Sequence, residues 1–121
     1  MNPNVLVADD SSTMRKIIIR SLQGIGVPGA TEAKDGEEAI ALFKQGGFDA
    51  VLTDWNMPGK TGLDVIKEIR ALNATVPIIM ITTEAEKRRV LEAIQHGVSD
   101  YIIKPFEPDT LRDKLRKFIN L

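Results

Sequence analysis

The 121-residue sequence contains no cysteine. That removes disulfide frameworks, thiolate zinc sites and cysteine nucleophiles from consideration. It contains a single histidine, His96, so a His-rich metal centre is excluded and any Ser-His-Asp triad would have to run through that one residue. Neither sign of charge is in excess: 16 basic against 17 acidic residues leave a formal net charge of -1, and the basic field that accompanies nucleic-acid binding is missing. No apolar run approaches the ~20 residues of a membrane span. The opening Met1-Asn2-Pro3-Asn4 has neither the basic nor the apolar part of an export signal. The expectation is one cytoplasmic, monomeric domain over 1–121, with no nucleic-acid and no membrane partner.

What is present is ordinary globular composition, arranged in short apolar runs. Val5-Leu6-Val7-Ala8, Ala50-Val51-Leu52, Ile78-Ile79-Met80-Ile81 and Tyr101-Ile102-Ile103 are continuous rather than alternating, as strands covered on both faces should be. Ala30 to Ala33, after the turn residues Pro28-Gly29, is a weaker fifth candidate. Between the runs lie stripes of helical period: Met14, Ile17, Ile18 and Leu22, stopped by Gly24; Ala39, Ile40, Leu42 and Phe43, ended by Gly46-Gly47; Leu63, Ile66, Ile69 and Leu72; Val90, Leu91 and Ile94, capped by Gly97; and Leu111, Leu115 and Phe118, opened by Pro108. Strand and helix alternate about five times, which predicts an α/β fold with a doubly wound parallel sheet of five strands and five helices. In such sheets ligands bind outside the carboxyl ends of the strands.

The residues at those ends carry the chemistry. The first strand runs into Asp9-Asp10, the third into Asp54, the fourth into Thr82-Thr83 and the fifth into Lys104-Pro105. Asp9 and Asp10 can share a pocket only if the strand is already ending, and Ser11-Ser12-Thr13 reads as a helix N-cap segment that would end it. Three close carboxylates repel, so they call for a counterion. Lys104 supplies one charge and a divalent cation supplies more. Oxygen-only ligands favour a hard ion such as Mg2+, which keeps several waters and also binds phosphate oxygens. No G-x-x-x-x-G-K-[ST] loop is present, so no nucleotide site is indicated. A carboxylate beside the metal can itself carry a phosphoryl group, with Lys104, the Thr82 hydroxyl and the metal neutralising its oxygens.

These residues resemble the receiver domains of bacterial two-component response regulators. The likeness covers almost the whole chain: Asp9-Asp10, Asp54, Met57-Pro58 with Gly62 after it, Thr82, and Lys104-Pro105, in order and at strand ends. The stretches Asp10-Ser11-Ser12-Thr13-Met14-Arg15, Asp54-Trp55-Asn56-Met57-Pro58 and Lys104-Pro105-Phe106 narrow it to the chemotaxis members of that family. The resemblance implies a flavodoxin-like strand order, 2-1-3-4-5. It implies that Asp54 accepts a phosphoryl group from a sensor histidine kinase, and that Asp9, Asp10, Asp54 and the Asn56 backbone carbonyl hold Mg2+. It further implies that Lys104 contacts the phosphoryl group through a cis Lys104-Pro105 bond, and that Thr82 and Tyr101 form the switch, altering the surface of the fourth helix, fifth strand and fifth helix for a flagellar motor switch protein. Asn56, Thr83 and Glu84 stand where the family tunes the phosphoryl lifetime. Thr83 departs from the alanine common in the chemotaxis members of the family. The loop Pro58-Gly59-Lys60-Thr61-Gly62 is basic rather than acidic, which bears on metal affinity or on docking of a phosphatase.

Plainer readings stand beside these. Asp9-Asp10 could be an acidic pair at a helix N-terminus, Asp54 a turn residue, Thr82-Thr83 a helix cap before Glu84-Ala85-Glu86, and Tyr101 a packing residue. Trp55 is expected at the surface beside the pocket, His96 near the end of the fourth helix, and Lys87-Arg88-Arg89 on a solvated face. Competing functions are a phosphorelay intermediate or phosphate sink, a receiver domain cut from a larger regulator, a Mg2+-dependent phosphatase with an aspartate nucleophile, and a flavodoxin-like cofactor carrier. Asn56 stands where the phosphatase needs a second acid. Asp9-Asp10 would repel the phosphate that the carrier must cradle. The expectation is a signalling switch, not a turnover enzyme, ending just after its fifth helix.

Overall fold

The apolar runs form a parallel sheet. The computed structural model describes residues 3–121; Met1 and Asn2, the start of the stretch read above as lacking an export signal, lie outside the described residues. Strands and helices alternate as β1 (Asn4–Ala8), α1 (Ser12–Gly24), β2 (Gly29–Ala33), α2 (Gly36–Lys44), β3 (Ala50–Thr53), α3 (Gly62–Leu72), β4 (Ile78–Thr82), α4 (Lys87–Gln95), β5 (Asp100–Ile103) and α5 (Pro108–Arg116). The strand order is β2-β1-β3-β4-β5, with every pair parallel. Strand order reverses between β1 and β3, and that reversal opens the crevice in which such sheets bind ligands.

Alternate strand residues point to opposite faces and feed two separate cores. Leu6, Ala8, Val51, Ile78 and Met80 meet α2 and α3 through Ile40, Phe43, Leu63, Ile66 and Ile69. Val5, Val7, Leu52, Ile79 and Ile81 meet α1 and α5 through Ile18, Leu22, Leu111 and Leu115. Side-chain caps start three of the helices. Ser11 accepts from the Met14 N–H, Asp35 accepts from the Glu38 N–H, and Thr61 and Asp64 form a reciprocal capping box.

Several stripe positions expected in the core face solvent. Ile17 is 44% exposed, Leu72 54%, Leu91 48%, Ile94 54% and Phe118 38%. Ile17 sits at the edge of a stripe whose centre is Ile18 and Leu22, and Leu72 is the last residue of α3. The largest departure is α4, where only Ala93 is buried. That helix touches the sheet through a narrow strip and leaves its bulky apolar residues outside. The helix-cap reading of Thr82-Thr83 also fails. α4 begins at Lys87 with Glu86 as N-cap and no side-chain cap bond, while Thr82 Oγ1 accepts from the Glu84 N–H at 3.3 Å and so closes a turn.

Asp100 ties β5 to α5. Its Oδ1 accepts from Lys114 Nζ at 2.8 Å and from the Tyr101 N–H at 2.8 Å, and Oδ2 accepts from Lys117 Nζ at 3.3 Å. Burial pushes the carboxyl upward, but these donors outweigh it and the pKa lies below its ordinary 3.8. The folded state therefore holds the Asp100 proton less tightly than the unfolded chain, so this contribution to stability is full above 3.8 and is lost as pH falls through the depressed value. Asp100→Asn should lower stability at pH ~7 by about 1 kcal/mol, with the difference closing in urea titrations as pH falls below 3.8 through the depressed value. In the same assay Leu111→Ala should cost about 2–5 kcal/mol, whereas Leu91→Ala should stay within about 0.5 kcal/mol.

Candidate functional site

Strand register assembles the site. Ala8 pairs with Thr53, and the Asp54 N–H donates to the Ala8 carbonyl at 2.9 Å, so Asp9 and Asp54 leave neighbouring strands side by side. Thr82 pairs with Ile103, and the Lys104 N–H donates to the Thr82 carbonyl at 2.9 Å, which delivers the lysine to the same edge. The Lys104-Pro105 bond is cis. Lys104 Nζ then donates to Asp9 Oδ2 at 2.8 Å and to Asp54 Oδ2 at 2.9 Å. All three side chains are at most 10% exposed.

The second oxygens are held by the backbone. Asp54 Oδ1 accepts from the Trp55 N–H at 2.6 Å and the Asn56 N–H at 3.3 Å. Asp9 Oδ1 accepts from the Ser11 N–H at 2.9 Å. Burial is the dominant influence on Asp9 and raises its pKa; Lys104 and the Ser11 N–H pull it down, and the Asp54 charge adds to the rise. Burial by itself would lower the Lys104 pKa, but its bonds to Asp9 and Asp54 more than offset that and raise it above the ordinary lysine value. One lysine thus does not fully compensate the burial of Asp9.

Asp10 completes the cluster from an exposed position. Asp9, Asp10 and Asp54 each offer a carboxylate oxygen within 4.8 Å of the others. Hard oxygen donors and an under-compensated buried carboxylate fit a divalent cation such as Mg2+. Asn56 is exposed and follows directly. Thr82 is fully buried, and its hydroxyl is engaged with the Glu84 N–H. The Tyr101 hydroxyl donates to the Glu84 carbonyl at 2.7 Å. Burial first, then the Glu84 and Asp54 charges, push that phenol up to about 12. Thr82 and Tyr101 therefore meet on the two sides of one residue's main chain. Thr83 is exposed.

Trp55 departs from expectation. It is 4% exposed and belongs to the core beneath α2 and α3. Its side chain turns to that face as the chain leaves β3, and the Arg89 guanidinium lies over the ring, 5.4 Å from its centroid. Two supporting residues carried no role in the sequence reading. Arg15 donates to the Asp9 carbonyl at 2.6 Å and to Glu32 Oε1 at 2.9 Å, anchoring the acidic turn. Arg89 stands in what read as a solvated basic run. An arginine aimed at a carbonyl or a ring has the same sequence signature as one in water, so no local signal marks either.

Gly62 is required by close approach. It opens α3, its N–H donates to the Trp55 carbonyl at 2.8 Å, and a Cβ there would collide with the Asp54 carbonyl oxygen. Gly24 has open space around it and ordinary backbone geometry. Gly62→Ala should therefore cost about 2 kcal/mol or more by overpacking, while Gly24→Ala should stabilise by about 0.5–1 kcal/mol. Paired urea melts would show the opposite signs.

A family model for the response regulator receiver domain matches residues 5–116. Chemotaxis protein CheY-3 of Vibrio cholerae is 47% identical over 118 residues, covering 96% of this chain and 91% of that protein. Among solved structures, V. cholerae chemotaxis protein CheY4 superposes with a TM-score of 0.91 at 33% identity, covering 98% of this chain and 100% of that one. The receiver domain of sensor histidine kinase PA1611 from Pseudomonas aeruginosa, solved with a magnesium ion coordinated in its active-site cleft, gives 0.89 at 28% identity, with 98% of each chain covered.

Proposed function

The chain belongs to the response regulator receiver family, and on that premise we propose that Asp54 is its phosphoacceptor. It is a signalling domain phosphorylated on aspartate, and its own chemistry goes no further than taking up and losing the phosphoryl group. The observation that carries the assignment is the Lys104 ammonium shared between Asp9 and Asp54 at the switch point of the sheet. The donor is a histidine kinase, as receiver domains imply. An Asp54 oxygen attacks phosphorus, the donor's N–P bond breaks, the departing imidazole nitrogen takes up a proton, and an acyl phosphate remains.

Preorganised charge does most of the work. Lys104, already held against Asp54, neutralises one phosphoryl oxygen. The Thr82 hydroxyl turns to donate to another. Asp9, Asp10, Asp54 and the Asn56 carbonyl would hold Mg2+, which supplies further neutralisation of phosphoryl charge when bound. Turning Thr82 withdraws the acceptor from the Glu84 N–H, and Glu84 also anchors Tyr101. A charge placed at Asp54 is thereby passed to the outer face of α4, β5 and α5 as a shift between two populations. That face carries exposed Leu91, Ile94 and Ile103. The partner is a flagellar motor switch protein, by likeness to the chemotaxis relatives. A phosphatase acts at the same edge, and Asn56, Thr83 and Glu84 set the lifetime. Residues 1–121 act as one receiver domain, cytoplasmic and monomeric.

Intact mass after incubation with Mg2+ and acetyl phosphate should show one added phosphoryl group in the wild type and none in Asp54→Asn. Lys104→Ala should slow the gain about a hundredfold. Unmodified wild type would remove the acceptor assignment. Mg2+ alone should raise the wild-type unfolding midpoint, and this rise should be absent in Asp10→Asn.

A further inference from the structure

We infer that Arg89 is a positioning residue for phosphoryl transfer, acting on Asp54 through Trp55. The inference rests on the reading of Asp54 as the acceptor.

Arg89 is not placed to support its own helix. It lies in the first turn of α4 beside Lys87 and Arg88, where cations oppose the helix dipole. Among the described residues no ion pair includes it. Arg88, its neighbour, is 84% exposed and pairs only with Glu86 at 3.9 Å. Arg89 is instead half-buried, with its guanidinium over the Trp55 ring. A cation over an indole face is attracted by the ring quadrupole, more so when water is excluded.

Trp55 is the residue whose position decides how the acceptor is presented. Its N–H makes the shortest hydrogen bond to Asp54, 2.6 Å to Oδ1. Its carbonyl is held by the Gly62 N–H at 2.8 Å. A shift of the ring turns this short segment of backbone and moves the bond that aims Asp54. The Arg89 guanidinium, lying over the ring, keeps it in place. Its field also reaches Tyr101, where it opposes the rise in the phenol's pKa. One guanidinium therefore connects the least buried helix with the acceptor loop.

Two substitutions separate charge from packing, both with good helix formers. Arg89→Met keeps an apolar stem over the ring and removes the cation; Arg89→Lys keeps a cation. Rates of phosphoryl gain from acetyl phosphate at saturating Mg2+ should fall about threefold to tenfold in Arg89→Met and stay within about twofold of wild type in Arg89→Lys. Trp55 emission should change in Arg89→Met alone. The slowing should persist at high salt, since a buried contact is screened much less than long-range steering of the anionic donor. Wild-type rates or unchanged Trp55 emission in Arg89→Met would overturn the inference, as would equal slowing in both variants or slowing that vanishes with salt. A wild type that takes up no phosphoryl group would instead overturn the acceptor reading, and this inference with it.

Discussion

Lys104 places one ammonium between two buried carboxylates, and the geometry of the site follows from that arrangement. Asp9 and Asp54 emerge side by side because β1 and β3 are paired in register. Two such groups out of water would otherwise drive one of them to take a proton. The lysine arrives from β5, across the width of β4, and joins both. Buried ion pairs of this kind contribute little net stability, because desolvation cancels much of the attraction. What the arrangement provides is position. An acceptor oxygen, a fixed cation and an open acidic flank at Asp10 all sit within reach of one incoming anion.

The rest of the fold divides into a firm part and a loose part around that point. The sheet and α1, α2, α3 and α5 are joined through two apolar cores of buried residues. α4 stands apart, with Ala93 as its one buried residue and no side-chain cap. Elements with few buried apolar contacts are those that move at low cost. Two connections run from the site to this helix and its approach: the Glu84 main chain shared by Thr82 and Tyr101, and Arg89 over Trp55. On the proposed reading, a change of charge at Asp54 would act through these contacts on the part of the molecule least committed to one position.

Much of this was legible in the residues. Strands buried on both faces appear as unbroken apolar runs; the four runs and the weaker stretch Ala30 to Ala33 all lie in strands, though only β1, β3 and β4 are covered on both faces, while the edge strands β2 and β5 stay partly exposed. The chemistry was legible because a parallel sheet collects its strand ends at one edge, so Asp9, Asp54, Thr82 and Lys104 could be grouped without knowing their distances. The family resemblance supplied the strand order. The α4 stripe was misleading. Val90, Leu91 and Ile94 have helical spacing, but spacing cannot say whether a stripe faces the sheet or a partner. Trp55 was misplaced because burial of a residue just beyond a strand depends on which face it turns to, and on Arg89 from a distant segment covering it. The need for Gly62 lies in a backbone approach to Asp54, which no local pattern records. These features are set by packing between segments far apart in the chain.

The central claim is that the phosphoryl group sits on Asp54 and on no other carboxylate of the cluster. Borohydride reduction of the phosphorylated protein converts an acyl-phosphate aspartate to homoserine, and peptide mapping then reads the position. Homoserine is expected at residue 54, dependent on Mg2+ and on prior phosphorylation. Homoserine at residue 9 or 10, or a phosphoryl group that resists reduction because it sits on a hydroxyl such as that of Thr82, would contradict it.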